Sequence, residues 1–208
     1  MPDRGRFISL EGGEGVGKST QAKALALALR ARGLEVVETR EPGGSPGAEA
    51  IRALILGGEQ DRWGPRAEAL LFAAARADHV ERTIRPALAR GAWVVCDRFV
   101  DSSVAYQGAD GLGDELIRAL HQIGSEGLLP DRTLLLSLEM ETAAEREARR
   151  DRGQVDRFGM RDIAYRRAVA ANFEAMARAD TGRWRIIDAR GPLEEVTARL
   201  MAALEDIA

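Results

Sequence analysis

Short apolar runs alternate along the chain with longer stretches that read as helices. The runs at 7–10, 34–39, 92–96, 132–138 and 184–187 are predicted strands. Between them, 18–32 is rich in alanine and leucine and stops at Gly33, a residue suited to the position just past a helix. Further helices are predicted over 48–56, closed by Gly57-Gly58, and over 65–82, with Pro65 in the first turn and Pro86 as the next disturbance. The segments 101–107, 114–123, 142–152, 162–178 and 193–207 complete the set, and 40–47, with Pro42, Gly43, Gly44 and Pro46, is a loop. Strands one, three and four are apolar throughout, as strands covered on both faces must be. Strands joined one after another by helices imply an α/β fold: a five-stranded parallel sheet, doubly covered, in a single domain.

Composition narrows the class without naming a function. The chain has 208 residues, 45% of them apolar and 30% charged, which is ordinary for a globular protein with a sizeable core. Acids outnumber bases 33 to 30, so nothing asks for nucleic acid as a partner. A single cysteine, Cys96, cannot form an internal disulfide and fits a reducing compartment. No run approaches the roughly 18 apolar residues of a membrane span. The expected location is the cytoplasm.

Chemistry enters at the end of strand one. Gly12-Gly13-Glu14-Gly15-Val16-Gly17-Lys18-Ser19 fits G-x-x-x-x-G-K-[ST], with a strand before it and a helix after it. Such a P-loop turns backbone N–H groups inward, and the helix N-terminus adds its positive end. Lys18 reaches the β- and γ-phosphates of ATP and Ser19 ligates Mg²⁺, with Thr20 beginning the helix behind them. The motif alone specifies only a nucleoside triphosphate. The Asn-Lys-x-Asp segment of a switch GTPase is absent, which leaves a small phosphotransferase. Asp97 and Arg98 close strand three, where the open end of an α/β sheet faces its ligand. Asp97 is placed to hold a metal and Arg98 to grip phosphate oxygens. A salt-bridged surface pair is the plainer reading of those two residues.

The chain resembles the thymidylate kinase family over nearly its whole length. The pieces are the phosphate loop, Thr39-Arg40-Glu41-Pro42-Gly43-Gly44, the helix from Leu70 to His79 containing Phe72 and Arg76, the segment Asp97-Arg98-Phe99 through Ser102-Ser103 to Tyr106-Gln107-Gly108, and an arginine-rich stretch around Arg149 to Arg157. The resemblance implies phosphoryl transfer from ATP to dTMP, with Mg²⁺, by a homodimer. An alternative is another nucleoside or nucleoside monophosphate kinase of the same class. A nucleotide-binding module without turnover is a third reading, against which the arginine cluster argues.

For the acceptor, the resemblance implies a site built from Glu41, Pro42, Phe72, Arg76, Arg98, Ser103, Tyr106 and Gln107. Phe72 and Arg76 lie four apart and share a helix face. A pyrimidine can stack on Phe72 while Arg76 donates to thymine O4, and cytosine would oppose a donor to a donor. Without the resemblance, a core Phe and a solvated Arg would be the plainer reading. Tyr106 is implied to crowd the sugar at C2′ and favour deoxyribose, and Ser103 to lie near the base edge. Glu11 is implied to help place metal and acceptor phosphate, and Pro42 to sit in an unusual turn. A lid is expected over about 146–160. The phosphate loop has no arginine, so the catalytic arginine is expected in the lid: Arg152 first, because it precedes Gly153, with Arg149 and Arg150 as rivals.

Overall fold

The structure is a computed structural model that describes residues 5–59, 62–151 and 162–207, the side chains of 147–151 excepted. Five strands, β1 (Phe7–Glu11), β2 (Val36–Arg40), β3 (Trp93–Asp97), β4 (Arg132–Ser137) and β5 (Trp184–Asp188), form one parallel sheet in the order β2-β3-β1-β4-β5. Side chains alternate between the two faces. Ile8, Leu10, Trp93, Val95, Leu134 and Leu136 join one core cluster, shared with Leu25 and Leu29 of α1 (Lys18–Ala31) and Leu200 of α9 (Leu193–Ala202). Phe7, Val94 and Cys96 face the other way, against Val80, Ile84 and Leu88. Leu135 packs with Val104 and Ala105 of α5 (Val100–Ala109) and with Phe173 of α8 (Ile163–Ala179). The expected doubly covered α/β sheet is the observed fold.

The helices depart from the sequence reading at their ends. Strand β2 starts at Val36 because Leu34 belongs to the preceding cap, its N–H bonding Leu29 O at 3.4 Å while that of Gly33 bonds Arg30 O at 2.9 Å. Helix α2 (Pro46–Leu56) begins earlier than expected because Ser45 caps it and Pro46 needs no N–H in the first turn. The predicted helix over 65–82 is α3 (Pro65–His79), followed by a π-helical turn (Val80–Ile84) and α4 (Arg85–Ala89). Pro86 is tolerated because it falls in the first turn of α4. Helix α6 (Asp114–Ser125) packs on α3, and α7 (Met140–Asp151) follows β4. Among the described residues, no helix is long and apolar enough to cross a membrane.

Candidate active site

The C-terminal ends of β1, β3 and β5 open onto one cavity of about 610 Å³. The phosphate loop forms its floor. Lys18 is buried there, and its Nζ donates to Gly13 O at 2.5 Å. Gly15, at φ 74°, permits the loop to lie against the first turn of α7: a Cβ at that position would come 2.0 Å from Ala143 O. Ser19 donates a short hydrogen bond to Asp97 Oδ2, so two of the three residues expected at a metal do meet. Asp97 Oδ1 is buried and has no hydrogen-bond partner among the described residues.

Burial, then repulsion from Arg98, lowers the Lys18 pKa from the usual 10.5 to about 8. A bound polyphosphate stabilises the ammonium and raises that value. Between the two values the complex therefore holds more protons than the free protein. ATP binding at about pH 9 is expected to take up protons, and at about pH 7 far fewer. Calorimetry in buffers of different ionisation enthalpy measures this, and Lys18→Met should abolish it.

Arg98 follows β3 with φ 70°, a left-handed conformation uncommon for a residue with a side chain. The end of β1 holds it there: Arg98 N–H bonds Leu10 O at 3.0 Å, and the next N–H, of Phe99, bonds Glu11 Oε1 at 2.7 Å. Glu11 is fully buried, and its other oxygen accepts from Ser102 Oγ at 2.6 Å. Burial and the nearby Asp101 push its pKa up to about 8. Both oxygens thus serve the turn around Arg98.

The turn aims the Arg98 guanidinium across the cavity. Nη1 donates to Gly12 O at 3.1 Å and Ser102 Oγ at 3.0 Å, and Nη2 to Glu14 Oε1 at 2.5 Å and the Tyr106 hydroxyl at 3.1 Å. The Tyr106 hydroxyl donates in turn to the same Glu14 oxygen at 3.1 Å. Burial opposes the Arg98 charge, but Glu14, Tyr106, Asp97 and Glu11 together outweigh it and raise the Arg98 pKa. Glu14, counted from sequence among the nucleotide-binding residues of the loop, therefore projects to the Arg98–Tyr106 side.

On the facing wall, Phe72 and Arg76 of α3 both line the cavity. Arg76 is only 3% exposed, so neither a solvated arginine nor a surface ion pair describes it. Its Nε donates to Glu41 Oε2 at 2.8 Å and its Nη2 to Ser103 Oγ at 2.6 Å. Ser103 therefore seats Arg76. Burial raises the Glu41 pKa, but the Arg76 charge and a hydrogen bond from His79 outweigh burial and hold it below the ordinary carboxylate value. The Glu41–Pro42 peptide is cis, and Arg52 Nη1 donates to Pro42 O at 2.6 Å. Gln107 also lines the cavity and donates to Glu68 Oε1 at 3.4 Å.

Sequence reasoning placed Arg146 at the start of the lid but missed the rest of the wall opposite the acceptor side. Arg146 of α7 bonds Ala189 O at 3.4 Å and lines the cavity with Ala189, Gly191, Leu193 and Val196. The rule that singled out Asp97, that strand ends face the crevice, applies equally to the loop after β5 and would have found it. Arg52 was missed as well, because only folding brings α2 to the cavity, and Arg40, at the C-terminal end of β2, follows the same strand-end rule. The lid residues Arg152 and Arg157 lie outside the described residues, as do the side chains of Arg149 and Arg150.

Comparison with known proteins agrees with this geometry. The sequence model of the thymidylate kinase family matches residues 10–200. The chain is 67% identical to a thymidylate kinase of Rhizorhabdus wittichii over 204 residues, covering 98% of each. It is 50% identical to that of Caulobacter vibrioides over 198 residues, covering 95% of this chain and 94% of the other. The crystal structure of thymidylate kinase from Ehrlichia chaffeensis superposes with a TM-score of 0.79 at 28% identity, covering 97% of this chain and all of that one. Matched by the family model over residues 10–200 and 67% identical to a relative over nearly the full length of both, this chain belongs to the thymidylate kinase family.

Proposed function

We infer that the chain is an ATP-dependent kinase that transfers the γ-phosphate of ATP to dTMP, giving dTDP and ADP. One observation carries this reading: a single cavity is lined by the phosphate loop and by Phe72, Arg76, Arg98 and Tyr106, with Arg98 bonded to the loop at Gly12 and Glu14. Such a cavity can hold donor and acceptor phosphates together, and phosphoryl transfer depends chiefly on positioning and positive charge.

ATP lies with its phosphates over the loop from Gly12 to Thr20 and its base against Ala189, Leu193 and Val196. Magnesium fits the oxygen pair of Ser19 and Asp97, whose buried Oδ1 lacks a partner. The ion supplies neutralisation of phosphate charge. Lys18 and Arg98 supply the charge fixed in the protein, and Arg149 and Arg152 add more from the lid.

The acceptor base stacks on Phe72 and meets Arg76, while Tyr106 crowds C2′. Thymine O4 accepts from Arg76, whereas the cytosine amino group presents a donor. A coupled assay with a panel of monophosphates tests the whole reading. dTMP and dUMP are expected to far outperform dCMP, and dTMP to outperform its ribose analogue. Arg76→Ala should lose about 2 kcal/mol or more of the dTMP preference over dCMP. Melting is measured alongside, because the variant leaves the buried Glu41 carboxylate without its cation. An unchanged dTMP to dCMP ratio in kcat/KM would remove Arg76 from base reading.

A homodimer is the assembly the resemblance implies. The alanine-rich helix does not offer all its faces: Ala73 and Ala77 pack inside the chain against Gly124 of α6. The exposed stripe is Ala67, Leu70 and Ala74, with Leu70 56% exposed, and we place the pairing surface there. Light scattering should read twice the 22.6 kDa chain mass.

A further inference from the structure

A buried histidine stands behind the acceptor site. His79 is fully buried and does not line the cavity, yet it belongs to a continuous chain of hydrogen bonds that ends there. Its Nε2 lies 2.7 Å from Thr39 Oγ1 and its Nδ1 3.0 Å from Glu41 Oε1. A carboxylate accepts, so Nδ1 carries the proton. The other Glu41 oxygen, Oε2, takes Nε of Arg76, whose Nη2 continues to Ser103. Gly44 makes room for this chain: a Cβ there would come 2.4 Å from both His79 Nε2 and Thr39 Oγ1.

We propose that His79 is a positioning residue for acceptor recognition, setting the orientation of the Arg76 guanidinium through Glu41. The proposal rests on the reading of Arg76 as the group that meets the acceptor base. Carboxylate and guanidinium prefer a two-pronged pairing, with both carboxylate oxygens on one edge of the arginine. Here His79 holds one oxygen, so Glu41 meets Arg76 through a single oxygen. That leaves Nη2 to Ser103. Among the described residues Nη1 makes no hydrogen bond and remains for the base. Without His79, Glu41 is free to turn and take Nε and Nη2 together. Arg76 then leaves Ser103 and swings out of register with thymine O4.

The test is a steady-state comparison of His79 variants with dTMP, dCMP and ATP. His79→Leu is expected to raise the dTMP KM about tenfold or more, the size of a lost hydrogen bond to a charged group, and to narrow the dTMP to dCMP ratio in kcat/KM. The ATP KM should stay within about twofold, because the phosphate loop is untouched. His79→Asn, whose amide N–H can take the Nδ1 position, should retain the base preference. His79→Gln, whose amide lies nearer Thr39, should lose it. A folded His79→Leu protein with unchanged dTMP KM and base preference overturns the proposal. So does equal base preference in the Asn and Gln variants, a comparison that decides the matter if His79→Leu fails to fold. Arg76→Ala separates the two readings. If that variant keeps the ratio, base reading by Arg76 fails and this proposal with it. If it shifts the ratio while His79→Leu does not, only the proposal falls.

Discussion

Lys18→Ala is expected to fold normally and to lose about 10²-fold or more in kcat with ATP and dTMP. Folding should survive because the ammonium contributes little to it. Nζ has one hydrogen bond among the described residues, to Gly13 O, and burial and repulsion from Arg98 both oppose its charge. Catalysis should not survive, because nothing else on the loop carries a cation to the transferring phosphate. The charge that is unfavourable in the free protein becomes favourable when phosphate arrives, so its removal is felt most in the complex. The measurements are a melting curve and single-turnover transfer. Near-normal turnover in a folded variant would take Lys18 out of the mechanism.

Arg98→Ala is expected to lose at least as much in kcat/KM, about 10²-fold or more, and to differ in kind. Arg98 is held between Gly12, Ser102, Glu14 and Tyr106, so its loss disturbs both the loop and the acceptor side. The dTMP KM should rise as kcat falls. Arg98→Lys keeps the charge but cannot reproduce the fork, so it should recover only part of the loss. A lid arginine used only in the transition state behaves otherwise: Arg152→Ala should lower kcat and leave the dTMP KM in place. If Arg98→Ala changes kcat alone, its contact with the acceptor is refuted.

Much of the fold was legible because the patterns behind it are local. Strands β1, β3 and β4 each carry an apolar run, Phe7-Ile8, Trp93 to Cys96 and Leu134 to Leu136, since both sheet faces are covered, and the phosphate loop is one contiguous motif between a strand and a helix. Helix ends were less legible. Whether Pro46 sits in a loop or in a first turn depends on what Ser45 bonds, and whether the run past His79 continues depends on a π-helical turn that no periodicity announces.

The sequence by itself determined the phosphate loop, the Asp97-Arg98 strand end, the Phe72–Arg76 spacing on one helix face, and the order of strands and helices. Each of these is written in residues adjacent in the chain or one helical turn apart, where spacing alone fixes geometry. The tertiary structure alone decided which partners those residues keep. Glu41 meets Arg76 across 35 positions, and Glu14 meets Arg98 across 84. It turned Glu11 inward to hold the Arg98 turn, brought the loop after β5 to the cavity wall, and joined His79 to Arg76 through a shared carboxylate. Contacts between distant residues depend on how helices pack on the sheet, and that packing is set by the whole core and by no segment of the sequence read alone.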